Sequence, residues 1–252
     1  MKLKGQVAII TGAGRNIGEE TAKLLASEGA MVAVVDMDRD RGDKVAAEIV
    51  AAGGKARGFV ANVASESDIE QLVLDVVAEW GRIDILVNNA AISDNKHILE
   101  ITKEEWDRCL AVTMTGPFLM CKHVAAQIVK QGSAGKIVNV GSTSGFYGRM
   151  RAVAYAAAKG GVIALTKALA VQLAPHRIRV NAAIPNKVGS PVGKDTFDPN
   201  RPVVNLAGRP GLATDMARAV LFLVSDDSDF VIGDMLFVDG GVTSMMMGEP
   251  FP

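Results

Sequence analysis

Two side chains that could transfer a proton lie one helical turn apart in the segment "AYAAAKGG". Tyr155 and Lys159 are four residues apart, so in a helix a phenol and an ammonium group project from the same face. A nearby cation stabilises phenolate and lowers the pKa of tyrosine from about 10 toward neutrality, which favours general acid/base chemistry. Ser142 follows the apolar run "GKIVNV", and its hydroxyl could bind the same substrate oxygen as Tyr155. An exposed Tyr/Lys pair and a turn serine are the structural alternatives.

A glycine-rich segment, "TGAGRNIGEE", follows the apolar run "VAII" near the start of the chain. Glycines between a strand and a helix permit a tight turn and close approach of a ligand, and the free N–H groups of a helix start attract phosphate. The spacing of Gly12, Gly14 and Gly18 differs from G-x-G-x-x-G, because three residues separate the last pair. The loop alone is therefore only suggestive of a dinucleotide site.

Asp36 ends the second apolar run, 24 residues after Gly12. An acid at this position can accept hydrogen bonds from an adenosine ribose and repel a 2′-phosphate, which favours NAD over NADP. Arg15, inside the glycine loop, could instead pair with a 2′-phosphate, which favours NADP. Asp36 carries more weight because it would face that phosphate at close range, so NADP is the less favoured cofactor. A strand-end carboxylate that caps the next turn is the alternative for Asp36.

The elements that position these residues alternate along the chain. Apolar, β-branched runs are separated by amphipathic helical patterns around residues 17–28, 39–52, 66–80, 103–130, 152–174 and 211–224; the runs are "QVAII", "MVAVVD", "ARGFV", "IDILVN", "GKIVNVG", "IRVNAAI" and "MLFVDGG". This predicts an α/β fold: a single doubly wound, Rossmann-type domain over residues 1–252, with a parallel sheet of about seven strands and helices on both faces. Ligands of such folds bind at the carboxyl ends of the strands, where Thr11, Asp36, Asn88, Ser142 and Pro185 are expected.

Two further segments stand outside the alternation. Residues 186–210 form the one long irregular stretch and are predicted to be a substrate loop or lid. Residues 242–252, "VTSMMMGEPFP" after Gly241, form a C-terminal extension that is more apolar than a free tail. We expect this extension to pack, either on its own chain or on a neighbouring subunit.

Composition excludes several classes of partner. The formal net charge of the 252 residues is −1, so a global field that attracts nucleic acid or an anionic membrane is not expected. The first apolar run is too short for a signal peptide and 18 uninterrupted apolar residues occur nowhere, which predicts a soluble cytoplasmic protein. The two cysteines and three histidines show no metal-ligand spacing, so we expect buried thiols and no metal; these residues are Cys109, Cys121, His97, His123 and His176.

In combination these motifs resemble the short-chain dehydrogenase/reductase family over nearly the whole chain, from Gly5 to Gly241. In the family's order they are "TGAGRNIG" at 11–18, Asp36, "NNAA" at 88–91, Ser142, "YAAAK" at 155–159, "RVNAAIPN" at 179–186 and "VDGG" at 238–241.

The resemblance implies roles for individual residues. Tyr155 would exchange a proton, Ser142 would orient the carbonyl or hydroxyl, and Lys159 would hold the nicotinamide ribose and lower the pKa of Tyr155. The implied catalytic set is Ser142, Tyr155, Lys159 and Thr113. The implied cofactor site comprises Gly12, Gly14, Arg15, Asn16, Ile17, Gly18, Asp36, Asn62, Val63, Asn89, Ala90, Tyr155, Lys159, Pro185, Val188 and Ser190. The family also implies a homotetramer whose twofold interfaces use the helices around 103–130 and 152–174.

Several residues depart from the family pattern. Asn16 replaces the middle glycine of the loop, and asparagine tolerates positive φ better than most residues. Asn62 replaces an aspartate that faces adenine, and Ala91 and Asn186 each replace a glycine near the cofactor. Thr113 occupies the position of the catalytic asparagine, and its hydroxyl is not expected to reproduce both functions of an amide. A relay contact through the backbone carbonyl at this position would survive the change.

The favoured function is an NAD-dependent oxidoreductase that interconverts a secondary alcohol and a ketone. The alternatives are an NADPH-dependent reductase of 3-oxoacyl thioesters and a non-catalytic dinucleotide-binding protein.

The loops expected around the substrate are locally basic. They carry Lys96, His97, Arg149, Arg151, Lys187 and Lys194, against the acids Asp94 and Asp195. Solvated side chains on loops are one explanation. The other is a small anionic substrate held by Arg149 or Arg151, with Ser144 and Lys187 completing the substrate site.

Overall fold

A computed structural model describes residues 1–245 of the chain and contains a single parallel sheet of seven strands. The strands are β1 (Val7–Thr11), β2 (Met31–Asp36), β3 (Lys55–Val60), β4 (Ile85–Asn88), β5 (Gly135–Val140), β6 (Ile178–Pro185) and β7 (Met235–Val238). Their order across the sheet is β3-β2-β1-β4-β5-β6-β7, and every pairing is parallel. The doubly wound fold predicted from the sequence is confirmed.

Helices cover both faces of the sheet: α1 (Asn16–Ser27), α2 (Arg39–Ala51), α3 (Glu66–Trp80), α4 (Lys103–Leu110), α5 (Gly116–Gln131), α6 (Val153–Leu173) and α7 (Ala213–Val224). Successive side chains of a strand point to opposite faces, so the central strands contribute to two separate cores. Ala8 and Ile10 of β1 pack in the core that includes α1, α2 and α7. Val7 and Ile9 pack in the core that includes α3, α5 and α6. Burial on both faces explains why these strands are continuous apolar runs.

The helix predicted over residues 103–130 has an interruption. A π-helical turn, Ala111–Thr115, joins α4 to α5. Thr102 and Glu105 form a capping box at the start of α4, and Gly132 with φ +68° ends α5. By length and composition the stretches Lys103–Gln131 and Val153–His176 are apolar enough to cross a membrane, but about half of each apolar window is buried within the fold, as in core helices.

The polar residues expected at the carboxyl edge of the sheet do lie there. Thr11, Asp36, Asn88 and Pro185 each end a strand, and Ser142 follows β5 by two residues. The segment after β6 is irregular, with one isolated bridge between Val188 and Gly211, as expected for the 186–210 loop. We call residues 186–210 the lid.

Only the beginning of the C-terminal extension can be described. Val242–Ser244 form a short 3₁₀ turn after β7. The prediction that the extension packs concerns mainly residues 246–252, which lie outside the described residues.

Candidate active site

A cavity of about 1450 Å³ opens at the carboxyl edge of the sheet. This is larger than the usual 300–1,000 Å³ of a small-molecule pocket and suits a ligand of dinucleotide size together with a substrate. Its walls include most of the residues that the sequence predicted: Gly12, Arg15, Asn16, Ile17, Asp36, Val63, Asn89, Ala90, Ser142, Ser144, Arg149, Tyr155, Lys159, Pro185, Lys187, Val188 and Ser190. Five predicted residues are outside this lining: Gly14, Gly18, Asn62, Thr113 and Arg151.

Close packing explains the glycines at the start of α1. A Cβ on Gly18 would lie 2.2 Å from the carbonyl oxygen of Gly12 and 2.7 Å from Nδ2 of Asn89. That same Nδ2 donates hydrogen bonds to the carbonyl oxygens of Thr11 and Gly12, both at 3.0 Å. Gly12 itself has φ +62°, a conformation open to glycine. Gly18 therefore does not line the cavity itself; it allows the glycine loop to pack tightly against the segment after β4, which does.

Asn16 adopts the backbone conformation that the missing glycine would have. Its φ is +53°. Its side chain makes a reciprocal pair with the lid, because Nδ2 donates to the carbonyl oxygen of Ser190 and Oδ1 accepts from the N–H of Ser190, each at 3.2 Å. Glycine could not make this connection. The substitution keeps the loop geometry and adds an anchor for the lid.

The carboxylate of Asp36 is fixed by backbone donors. Its Oδ2 accepts from the N–H of Gly14 at 2.9 Å, and its Oδ1 accepts from the N–H of Asp38 at 3.0 Å. This orientation leaves Asp36 in the cavity wall, beside the glycine loop. Asn62 uses its side-chain oxygen locally, since Oδ1 accepts from the N–H of Ala64 at 3.0 Å.

An ion-pair cluster spans the same end of the cavity. Asp195 of the lid pairs with Arg15 of the glycine loop and, at 3.2 Å, with Arg41 of α2. These contacts lower the pKa of Asp195, first through the hydrogen bond to Arg15. The sequence analysis did not identify Arg41 or this use of Asp195. The position of Arg41, five residues after Asp36, was the one feature of the sequence that could have indicated it.

Tyr155, Lys159 and Ser142 are buried together in the cavity wall, with 6%, 2% and 7% of their surface exposed. Lys159 Nζ lies 5.7 Å from the centroid of the Tyr155 ring and donates to the carbonyl oxygen of Val140 at 2.5 Å. The Ser142 hydroxyl donates to Ser144 Oγ at 3.0 Å. The helical spacing of Tyr155 and Lys159 thus places the phenol and the ammonium group side by side.

Burial dominates the pKa values of this pair. It lowers the pKa of Lys159 to about 8 and raises that of Tyr155, because both charged forms lose solvation. The Ser142 hydroxyl and the Arg149 charge act in the opposite direction on the pKa of Tyr155. Arg149 is the cation that acts to lower the pKa of Tyr155, against the larger effect of burial.

The first turn of α6, which carries Tyr155, is held by the loop after β4. Ala152 precedes the helix with φ +71° and has no side-chain acceptor for the free N–H groups. Asp94 supplies the missing acceptor from outside the helix, since its Oδ1 accepts a hydrogen bond from the N–H of Tyr155 at 3.1 Å. The N–H of Ala152 donates to the carbonyl oxygen of Lys96 at 2.8 Å. Asp94 is therefore a positioning residue for Tyr155.

Thr113 corrects one sequence-based expectation. Its side chain is fully buried in the π-helical turn; its hydroxyl donates to the carbonyl oxygen of Ile92 at 2.9 Å and accepts from the N–H of Ile92 at 3.1 Å. The hydroxyl thus donates and accepts within the protein, toward the backbone of Ile92. The side chain is outside the cavity lining, so its role is to hold the loop after β4 rather than to touch a substrate.

Replacing Thr113 by valine tests the hydrogen bonds to Ile92, because valine has nearly the same shape but lacks the hydroxyl. Thr113→Val would leave the N–H and carbonyl of Ile92 without this partner, and we expect the free energy of unfolding to fall by about 1–3 kcal/mol. Thr113→Ser keeps the hydroxyl and should lose about 1 kcal/mol or less. Urea denaturation measures both. Equal stability of the valine variant and the wild type would contradict this assignment.

Basic residues surround the remaining part of the cavity. Arg149 donates to Ser144 Oγ at 3.2 Å, and Lys187 of the lid donates to the carbonyl oxygen of Pro202 at 3.2 Å. Arg151 lies outside the lining and pairs with Glu100 at 3.2 Å. Arg201, which the sequence analysis did not select, lines the cavity and donates to the carbonyl oxygen of Lys187.

Potential metal ligands within residues 1–245 approach one another at one surface site. Glu66, Glu70 and His123 bring three such atoms within 4.8 Å, but Lys122 Nζ donates to the Glu66 carboxylate at 2.7 Å. The group lies outside the cavity lining. Both cysteines are buried as expected, and burial raises the pKa of Cys121 to about 12.

Comparison with known proteins places this geometry among oxidoreductases. A family model described as enoyl-(acyl carrier protein) reductase matches residues 12–243. The chain is 38% identical over 245 residues to the 3-oxoacyl-acyl carrier protein reductase FabG of Thermotoga maritima, covering 96% of this chain and 99% of that protein. It is also 38% identical over 248 residues to a cyclopentanol dehydrogenase of a Comamonas species, with coverage of 96% and 99%.

A solved structure agrees with the sequence relatives. The crystal structure of a short-chain type dehydrogenase/reductase from Mycobacterium marinum superposes with a TM-score of 0.88 at 32% identity and covers 97% of each chain. The similarity in fold therefore extends over nearly the whole of both chains.

Proposed function

The chain belongs to the short-chain dehydrogenase/reductase family, and on that premise we propose that it interconverts a secondary alcohol and a ketone with NAD, using Tyr155 as the general acid/base. One observation carries the proposal. The Ser142 hydroxyl, the Tyr155 phenol and the Lys159 ammonium group line the same cavity as the glycine loop and Asp36. A proton-transfer group and a dinucleotide cradle thus share one space.

The cavity fits a nicotinamide dinucleotide. Gly12 presents bare backbone to it, and α1 begins at Asn16 in its wall, so the positive end of a helix is available to a pyrophosphate. Gly12, Arg15, Asn16 and Ile17 would hold the phosphates, and Asp36 the adenosine ribose. A bound nicotinamide supplies the hydride acceptor for oxidation and the hydride donor for reduction.

The protein's own residues manage the proton and the oxygen. Tyr155 accepts the hydroxyl proton in oxidation and returns it in reduction. Ser142 donates a hydrogen bond to the same oxygen and fixes its distance from Tyr155. Lys159, held by the carbonyl of Val140, binds the ribose and keeps a positive charge near the phenolate. Their burial excludes water from the reacting atoms.

Absorbance of NADH tests the proposal directly. Purified protein with excess NAD and a panel of secondary alcohols, including cyclopentanol, should produce NADH. Turnover only with NADPH and 3-oxoacyl thioesters would favour the reductase alternative, which the Thermotoga relative and the cations Arg15 and Arg41 support. Absence of turnover in both assays would favour a non-catalytic binding protein. Thr113 and the altered glycines motivate this last alternative; the positive φ of Asn16, which keeps the backbone conformation that favours glycine, supports the enzyme instead.

Asp36 provides the test of cofactor choice. Asp36→Asn removes a charge at the ribose site while Arg15 and Arg41 remain, so we expect the ratio of kcat/KM for NAD to that for NADP to fall by roughly tenfold or more. Asp40→Asn is the control, because Asp40 is exposed in the first turn of α2 and lies outside the cavity lining. A wild type that already prefers NADP would contradict the assignment.

We also propose a homotetramer assembled through α5 and α6. Phe118 and Val129 on α5 and Val171 on α6 are 46%, 40% and 77% exposed, which is costly for apolar side chains left in water. Light scattering at micromolar concentration should give the mass of four chains, and the mass of one chain would refute the assembly.

A further inference from the structure

The charge of the cavity wall is strongly asymmetric. Among the described residues that line it, Asp36 is the one acid, whereas seven side chains are basic: Arg15, Arg41, Arg149, Lys159, Lys187, Lys194 and Arg201. Arg15 and Arg41 are paired with Asp195, and Lys159 belongs to the catalytic group. Within residues 1–245, the other four form no ion pair with a carboxylate.

Arg149 is connected to the reacting end of the cavity. Its Nη1 donates to Ser144 Oγ at 3.2 Å, and Ser144 Oγ accepts from the Ser142 hydroxyl at 3.0 Å. The guanidinium group is therefore two hydrogen bonds from the serine that orients the substrate oxygen. Its charge also acts to lower the pKa of Tyr155, against the larger effect of burial, which is consistent with this placement. A dinucleotide phosphate at the glycine loop is not the partner that this position serves.

Arg201 brings a second guanidinium group from the lid. One of its Nη atoms donates to the carbonyl of Lys187, and its Nε is buried without a hydrogen-bond partner among the described residues. Burying a guanidinium N–H without an acceptor costs free energy, so an oxyanion in the cavity would provide what this group lacks. Arg201 from the lid and Arg149 from the segment between Ser142 and Tyr155 thus line the same cavity.

From this arrangement we propose that the substrate is a small secondary alcohol or ketone that carries an oxyanion such as a carboxylate, bound by Arg149 with Arg201 as the second cation. A planar guanidinium group binds a carboxylate through two parallel hydrogen bonds, which also orients the molecule. Because Arg149 lies so close to Ser142, the anion is separated from the reacting carbon by only a few bonds. This inference rests on the proposed oxidoreductase function and adds its substrate class.

A non-reactive probe tests the site without turnover. 3-Hydroxy-3-methylbutanoate is a tertiary alcohol with no hydrogen on its carbinol carbon, and its methyl ester is the neutral match. Calorimetric titration of the NAD-saturated protein should give a Kd about 10- to 100-fold lower for the acid than for the ester. Arg149→Met should bring that ratio close to one, and Arg201→Met should reduce it.

Arg151→Met is the matched control, because it removes an equal charge two residues away whose partner is Glu100. The ratio should persist in this variant and should weaken with added salt in the wild type. Arg149→Lys keeps the positive charge but loses the planar guanidinium group, so this variant should retain part of the preference for the acid over the ester. A wild-type ratio near one, or a ratio that neither arginine variant changes, overturns the proposal.

Measuring turnover distinguishes failure of the anion-site proposal from failure of the proposed oxidoreductase function. 3-Hydroxybutanoate and its methyl ester are compared by kcat/KM for NADH formation. Oxidation of both with equal efficiency supports the oxidoreductase and overturns the anion site. Preferential binding of the acid probe, without oxidation of these two alcohols or of any alcohol in the panel above, supports the anion site and overturns the proposed reaction.

Discussion

Tyr155→Phe should lower kcat for alcohol oxidation by roughly 10²- to 10⁴-fold, the usual effect of losing a general acid/base. The substitution removes one oxygen from a side chain that is 94% buried and keeps its shape, so α6 and the cavity should persist. Binding of NADH, measured by its fluorescence, should change little. Steady-state kinetics in both directions then separate chemistry from cofactor affinity.

The pH dependence gives this prediction a second measurement. Because burial raises the pKa of Tyr155, the phenol form dominates at neutral pH. The fraction of phenolate increases with pH up to that pKa, so the oxidation rate of the wild type should rise with pH and the reduction rate should fall. The phenylalanine variant should lose the part of this dependence that comes from Tyr155, and any dependence that remains reports Lys159, whose pKa burial lowers to about 8.

Tyr147→Phe is the control for Tyr155→Phe, because Tyr147 is the other tyrosine of the chain and is 51% exposed. Its effect should be less than about tenfold, as expected for a group that does not transfer the proton. A Tyr155→Phe enzyme with near-normal kcat would remove Tyr155 from the mechanism.

Gly18→Ala should weaken NADH binding by about 10- to 100-fold, although Gly18 does not line the cavity. The new Cβ would lie 2.2 Å from the backbone oxygen of Gly12 and 2.7 Å from the amide of Asn89. Neither neighbour is the flexible end of a long side chain, so the loop itself must move. Displacing it disturbs the hydrogen bonds that set its position relative to the segment after β4.

Gly42→Ala is the matched control. A Cβ on Gly42 would meet its nearest neighbours at 3.7 and 3.8 Å, which are ordinary contacts, and Gly42 lies inside α2. Alanine is favoured over glycine in a helix by about 0.5–1 kcal/mol, so this variant should bind NADH normally and be slightly more stable. Equal binding by Gly18→Ala and the wild type would show that the loop tolerates the displacement.

The fold and the centre of the site were predictable because they depend on short periodicities. Continuous apolar runs indicated doubly buried parallel strands, and the carboxyl-edge rule then placed Asp36 and Ser142 at one crevice. A spacing of four placed Tyr155 beside Lys159 on α6. Asn16 was expected to accept positive φ, and it does.

The remainder of the site depends on contacts between distant or irregular segments, which the periodic spacing of residues in helices and strands does not predict. Asp195 meets Arg15 across 180 positions of sequence, through a lid without regular structure. Arg149 and Arg151 are two residues apart in an irregular segment, where spacing does not determine direction; one reaches Ser144 and the other Glu100. Arg201 gave no signal beyond its charge.

Thr113 shows a different limit of sequence-based inference. Comparison of side-chain chemistry alone predicted a deficit, because a hydroxyl offers fewer groups than an amide. The π-helical turn places the hydroxyl against the backbone of Ile92, where it donates one hydrogen bond and accepts another, and this contact was not predictable from the sequence.

The contacts between the lid and the glycine loop also set an order of events in time. A dinucleotide bound as proposed, beneath Asp195 and Ser190, would leave only after the lid separates from Arg15, Arg41 and Asn16. Asp195 is 62% exposed at its side chain, and exposed ion pairs contribute only about 0.2–1 kcal/mol each, so these contacts delay release without preventing it. We therefore expect the oxidised substrate to depart first and the residence time of the reduced dinucleotide to shorten as ionic strength rises.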